Sequence, residues 1–224
     1  MIVFIVPGVA GALGALAMQI NGVGPVTRFA NFTRNPLANM FVGILVYLAV
    51  ASPVPLALYL LSRTGQRPRA LGLARPGFRK DIWPACGLIL ASLGSNYVLA
   101  ILLYQLLAHR GVATNAPVGH VPDYYVLYGL AISATTALTE EVLVNGYLLV
   151  RLEQLGWSPG KALALSLTLR TSYHVYYGAG FVLTVPFGYF VTRSFQKHRR
   201  LTRPIITHFL YDAILFTIAI LWLK

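Results

Sequence analysis

The chain has 224 residues, of which 57% are apolar and 11% charged, with a formal net charge of +12. A soluble domain carries about 25% charged residues, so this composition excludes an ordinary soluble fold and specifies an all-α, polytopic transmembrane helix bundle. No basic patch is interleaved with aromatic side chains, which argues against a nucleic-acid partner as the reason for the charge.

About seven spans are expected, over residues 2–20, 37–62, 83–108, 124–150, 161–178, 180–196 and 204–223. The first is apolar but lacks a basic n-region, so a cleaved signal peptide is not expected. The second leads into loop 63–82, where Arg63, Arg67, Arg69, Arg75, Arg79 and Lys80 read as a solvated segment facing lipid headgroups. The third contains Cys86, the single cysteine, which excludes a disulfide within the chain and reads as a small buried apolar filler. The fourth carries Glu140 and Glu141 side by side. It ends in the link 151–160, where Ser158-Pro159 suits the cap and first turn of the next helix. Arg170 and His174 follow in the fifth span, and His208 and Asp212 lie in the last. Between them, segment 193–203 holds Arg193, Lys197, Arg199, Arg200 and Arg203. The cation-rich segments 63–82, 151–160 and 193–203 all fall on one side of the alternation. The positive-inside pattern makes that side cytoplasmic, with the amino terminus inside and the carboxyl terminus outside.

Three of the six acidic residues, together with Arg170, His174 and His208, thus sit inside apolar spans. A charged group at the bilayer centre costs roughly 2.5–3.5 kcal/mol, so four of them would cost on the order of 10 kcal/mol if they faced lipid. They are expected to face the bundle interior or a water-filled cavity and to satisfy one another. At a rise of ~1.5 Å per residue, Glu140 lies ~16 Å below Arg151 and His174 ~20 Å beyond Lys161. On the same scale, His208 and Asp212 lie ~8 and ~14 Å past Arg203. Three helices therefore bring ionisable groups to one layer. His208 with Asp212, Arg170 with His174, and Glu141 with Asn145 are i, i+4 pairs on shared faces. Glu140 and Glu141 are about 100° apart around the helix, so they need not share a task.

A buried glutamate that activates water, a histidine that helps hold it and a second histidine that stabilises an oxyanion would together suit hydrolysis. The same residues also suit a zinc site, with Glu140, His174, His208 and Asp212 as ligands, or a proton relay in a transporter. No internal repeat supports the transporter.

The segments TEEVLVNGYLL, LRTSYHVYYG and ITHFLYD, in this order, resemble the three motifs of the CPBP intramembrane protease family, which includes the CAAX prenyl endopeptidases and bacteriocin-processing relatives. The resemblance covers about 124–220, which divides a single membrane domain of 1–224 into leader helices, 1–123, and a catalytic helix core. It implies that Glu140 activates water, that His174 helps hold it, and that His208 and Asp212 shape the oxyanion site. It also implies a glutamate mechanism without a cofactor, zinc being the runner-up. Two positions depart from the motifs. Asn145 stands where EExxxR has arginine, and Arg170 where FxxxH has phenylalanine, so Arg170 is expected to supply Glu141 with the cation that Asn145 cannot. Asp212 in place of asparagine is expected to orient His208 rather than donate to an oxyanion.

The resulting expectation is an intramembrane endopeptidase acting on a membrane-embedded or lipidated peptide or protein. It would reside in the lipid bilayer of a cell membrane, by resemblance the bacterial inner membrane, with its site opening toward the cytoplasm. The alternative is an immunity or scaffold protein of the same fold. The residues assign no oligomeric state.

Overall fold

The computed structural model describes residues 33–107 and 124–222, and every regular element among them is helical. The span expected at 2–20 lies outside the described residues. Helix α1, Pro36–Val50, starts where the Asn35 side chain accepts hydrogen bonds from the amides of Leu37 and Ala38, with proline in the first turn. A turn at Ala51-Ser52 separates it from α2, Pro53–Arg63. Helix α3, Trp83–Leu107, continues a π-helical turn, Phe78–Ile82. Helix α4, Tyr125–Glu140, passes through a π-helical stretch, Glu141–Leu148, into α5, Leu149–Gln154. Ser158 caps α6, Pro159–Ser172, by accepting from the Lys161 amide, as its sequence implied. A 3-10 segment, Val175–Leu183, leads to α7, Thr184–His198, and α8, Thr202–Trp222, closes the described chain.

Three of these stretches are long and apolar enough to cross a membrane: Pro36–Arg63, Phe78–Leu106 and Tyr125–Gln154. The expected count of seven is not reached among the described residues. The fifth and sixth spans change most. Helices α6 and α7 have 14 and 15 residues, about 21–23 Å each, short of a hydrocarbon core of ~30 Å. The glycine- and aromatic-rich stretch between them winds as a 3-10 helix instead of extending either one. Cys86 is exposed rather than buried. It shares the outer surface of α3 with Trp83, Leu90 and Tyr97, all about 70% exposed, a surface suited to acyl chains.

Two apolar clusters hold the bundle. One joins Leu61, Leu71, Val142, Leu148, Phe195 and Leu201. The other joins Met40, Tyr125, Tyr128, Ile132 and Ile220. Along α4 and α8 the polar residues of interest fall between the two clusters.

The cation-rich segments meet at one end. The Leu201 amide donates to the Gly72 carbonyl at 2.9 Å. Arg199 pairs with Glu153 at 2.6 Å, and Arg151 donates to the Thr64 hydroxyl at 3.1 Å. Arg200 hydrogen-bonds both carboxylate oxygens of Asp81, which holds its guanidinium charged above the ordinary arginine range. Gly72 has φ 79°, and a Cβ there would come within 2.7 Å of the Arg199 carbonyl oxygen, so glycine permits this close approach.

Candidate active site

The π-helical stretch begins at Glu141, and Glu140 is the last residue of the α-helix before it. Such widened turns are rare and recur at functional sites. Here the two carboxylates meet a single guanidinium. Arg170, delivered by the last turn of α6, puts Nη1 at 3.1 Å from Glu140 Oε2 and Nη2 at 2.9 Å from Glu141 Oε1. Arg170 and Glu141 are sealed from solvent, with side-chain exposures of 2% and 0%, whereas Glu140 keeps 17%. The 100° between the glutamates therefore does not separate them, because the forked guanidinium spans the interval.

Arg170 reaches this position along a groove made by Gly188 of α7. A Cβ at Gly188 would meet Arg170 Cδ at 2.9 Å. The guanidinium carbon also lies 5.8 Å from the centre of the Phe187 ring, within cation–π range.

Glu141 has a full set of partners. Its Oε1 accepts from His208 Nδ1 at 2.8 Å, and its Oε2 accepts from the Asn145 amide one turn on. Asn145 Oδ1 in turn accepts from the Thr192 hydroxyl at 2.8 Å, so the position where the motif has arginine ties the π-helical stretch to α7. Glu141 and Asn145 are both fully buried.

Glu140 accepts on one oxygen. The Tyr173 hydroxyl donates to Oε2 at 2.7 Å, the same atom that Arg170 approaches. His174 follows Tyr173, and its Nδ1 donates to the Arg170 carbonyl at 2.8 Å, since a carbonyl only accepts. The other imidazole, His208, is bracketed: Nδ1 faces Glu141 and Nε2 lies 3.3 Å from Asp212 Oδ2. Phe187 packs edge-on against His208, with ring centres 4.9 Å apart.

Glu140, Arg170, His174, His208 and Asp212 line one cavity of about 530 Å3. Leu93, Asn96, Tyr97 and Ala100 of α3 close one wall, and Leu183, Thr184 and Phe187 another. Glu141 and Asn145 stand behind this lining. None of the lining comes from the three cation-rich segments.

Sequence reasoning missed Tyr173, Asn96 and Tyr211 here. Tyr173 is one of several aromatics near His174 and nothing in the sequence distinguishes its hydroxyl. Asn96 was a readable signal, being an amide within an apolar span. Its amide donates to the Tyr211 hydroxyl at 2.6 Å, and both residues line the cavity.

Among the described residues, no three His, Cys, Asp or Glu side chains are grouped to hold a metal ion. Between the two glutamates, the position a cation would take is filled by the Arg170 guanidinium.

Residues 122–214 match the model of a protein family described as type II CAAX prenyl endopeptidase, Rce1-like, in agreement with the CPBP resemblance carried by the three motifs. The matched segment starts just before α4 and ends within α8, so it contains every carboxylate, histidine and arginine of the cavity, while Asn96 and Tyr97 lie outside it. Neither a curated protein nor a solved structure matches the chain.

Proposed function

From an Rce1-like segment that indicates a CAAX-type intramembrane protease in general, we propose that this protein hydrolyses a peptide bond of a membrane-embedded or lipidated protein, with Glu140 activating the water. The observation that carries the reading is the shared cavity of Glu140, His174, His208 and Asp212, within a bundle whose long helices suit a bilayer.

In this reading Arg170 and Tyr173 hold Glu140 through Oε2, and Oε1 takes the proton from water. His174 helps hold that water. Its ring is fixed by the Nδ1 hydrogen bond to the Arg170 carbonyl. The hydroxide adds to the scissile carbonyl carbon, and the oxyanion needs donors. His208 offers Nε2–H, which Asp212 orients at 3.3 Å and gives up readily because the bond is long. The Tyr211 hydroxyl, whose oxygen already accepts from Asn96, is the second donor. The C–N bond then breaks, and the proton carried by Glu140 passes to the leaving amine. Glu141 positions His208 and Arg170 and does not touch the reacting atoms. No cofactor takes part. Zinc remains the rival, and metal analysis with a chelator separates the two.

Beside the cytoplasmic opening expected from the sequence, a second route in is from the bilayer. Tyr97 and Leu215 line the cavity and are 70% and 43% exposed on the outer face of the bundle. That supports entry from within the bilayer, between α3 and α8, with the cation-rich end toward the cytoplasm.

The test uses the purified full chain in liposomes with a library of membrane peptides. Cleavage by wild type that is lost in Glu140→Gln, with the fold retained, supports the proposal. Equal cleavage by both, or none by either, refutes it. A biological role that survives Glu140→Gln favours the immunity or scaffold alternative, and ion flux sensitive to the same residues favours a transporter.

A further inference from the structure

A second cavity, of about 590 Å3, lies at the loop-bearing end, between the start of α3 and the last turns of α7. Its apolar lining is formed by Pro84, Gly87, Leu88 and Phe190. Its basic lining is formed by Arg193, Lys197, His198, Arg199 and Arg203. Glu153 is the one carboxylate in the lining, and it already pairs with Arg199 at 2.6 Å.

Arg203 decides what such a hollow can hold. It is 8% exposed, yet the acceptors it uses are neutral. Its Nε and Nη2 donate to the Lys80 carbonyl at 3.0 and 2.7 Å, and its Nη1 to the Ser194 hydroxyl at 3.3 Å. The nearby carboxylate of Asp81 is hydrogen-bonded by Arg200, so one carboxylate serves two guanidiniums. A buried cation whose bonds are all to neutral groups favours an anion beside it. Arg193 and Lys197 are exposed at the rim, where they add charge of the same sign.

The apolar wall selects among anions. A Cβ on Gly87 would meet no atom within 4 Å, so the groove beside α3 is open. Trp83, one turn earlier and 69% exposed, is the kind of side chain that sits at headgroup depth. A free phosphate would leave this wall wet. A headgroup with acyl chains attached would cover it.

We propose that this hollow binds the phosphate headgroup of an anionic phospholipid, with the first segment of its acyl chains lying along Gly87, Leu88 and Phe190. The site is independent of the hydrolytic cavity, since the two share no lining residue.

The experiment measures binding of short-chain phosphatidylglycerol to the full chain in neutral detergent by native mass spectrometry. Short-chain phosphatidylcholine and inorganic phosphate are the controls. Wild type is expected to bind phosphatidylglycerol saturably and to prefer it to both. The R193Q/K197Q double variant changes two exposed side chains, so unchanged helicity and melting serve as its folding check. It is expected to bind roughly 25-fold more weakly, about fivefold per cation. Gly87→Leu is expected to weaken lipid binding without changing the response to phosphate. Equal affinity of the double variant and wild type would overturn the site. So would equal affinity for the two lipids, or phosphate binding as tight as the lipid's.

Discussion

Arg170 is the residue on which the two glutamates depend, and the cost of removing it follows from its contacts. Arg170→Gln deletes an ion pair at 3.1 Å to Glu140 and another at 2.9 Å to Glu141, and leaves Glu141 with no exposure to water. The raw attraction of unit charges ~3 Å apart is about 5 kcal/mol per pair at an effective dielectric of ~20. Glu141 retains His208 and Asn145 as partners, so part of the loss is recovered. Breaking a buried pair by removing one partner costs about 3–5 kcal/mol, and that is the expected destabilisation. Glu141→Gln alone takes one carboxylate from the buried guanidinium and leaves it only Glu140. The double variant removes both charges, and its destabilisation is expected to fall short of the sum of the singles by about 2 kcal/mol or more. The assay is a double-mutant cycle on thermal unfolding in one detergent, with helicity confirming each fold. Additivity within about 0.5 kcal/mol would refute a direct Arg170–Glu141 interaction. Arg170→Lys is a sharper control, because one ammonium cannot fork to both carboxylates, and it is expected to recover less than half of the loss.

Tyr173→Phe removes the 2.7 Å hydrogen bond to Glu140 and leaves the ring in place. Peptide cleavage is expected to slow about tenfold, the equivalent of ~1.4 kcal/mol, with melting little changed; an unchanged rate would remove Tyr173 from the site. Gly188→Ala drives a methyl to 2.9 Å from Arg170 Cδ. It is expected to cost about 1–3 kcal/mol of stability and to lower activity with it, whereas a fully active, equally stable variant would show that Arg170 does not need this groove. Asn96→Leu is expected to lower kcat at near-constant KM by disturbing the Tyr211 hydroxyl, and a change in KM alone would contradict a role in the transition state. Exhaustive chelation is expected to leave cleavage unchanged, and loss of activity restored by zinc would replace the glutamate mechanism.

Depth and face along one helix are properties of the sequence, because rise and turn per residue are constants of the backbone. That is why the chain alone declared a helical membrane protein and gathered Glu140, His174, His208 and Asp212 into one layer. The i, i+4 contacts of Glu141 with Asn145 and of His208 with Asp212 were legible for the same reason. How one helix is turned against another is not a backbone constant. It depends on packing between side chains distant in sequence, such as Gly188 against Arg170. So only the tertiary structure decided that His208 meets Glu141 rather than Glu140, that Arg170 reaches Glu140 as well as the expected Glu141, and that Tyr173 joins them. It also decided that α6 and α7 stop short of full spans, and that Cys86 faces outward. A hydropathy pattern counts apolar residues, but neither where a helix gives way to a 3-10 segment nor which face its neighbours leave uncovered.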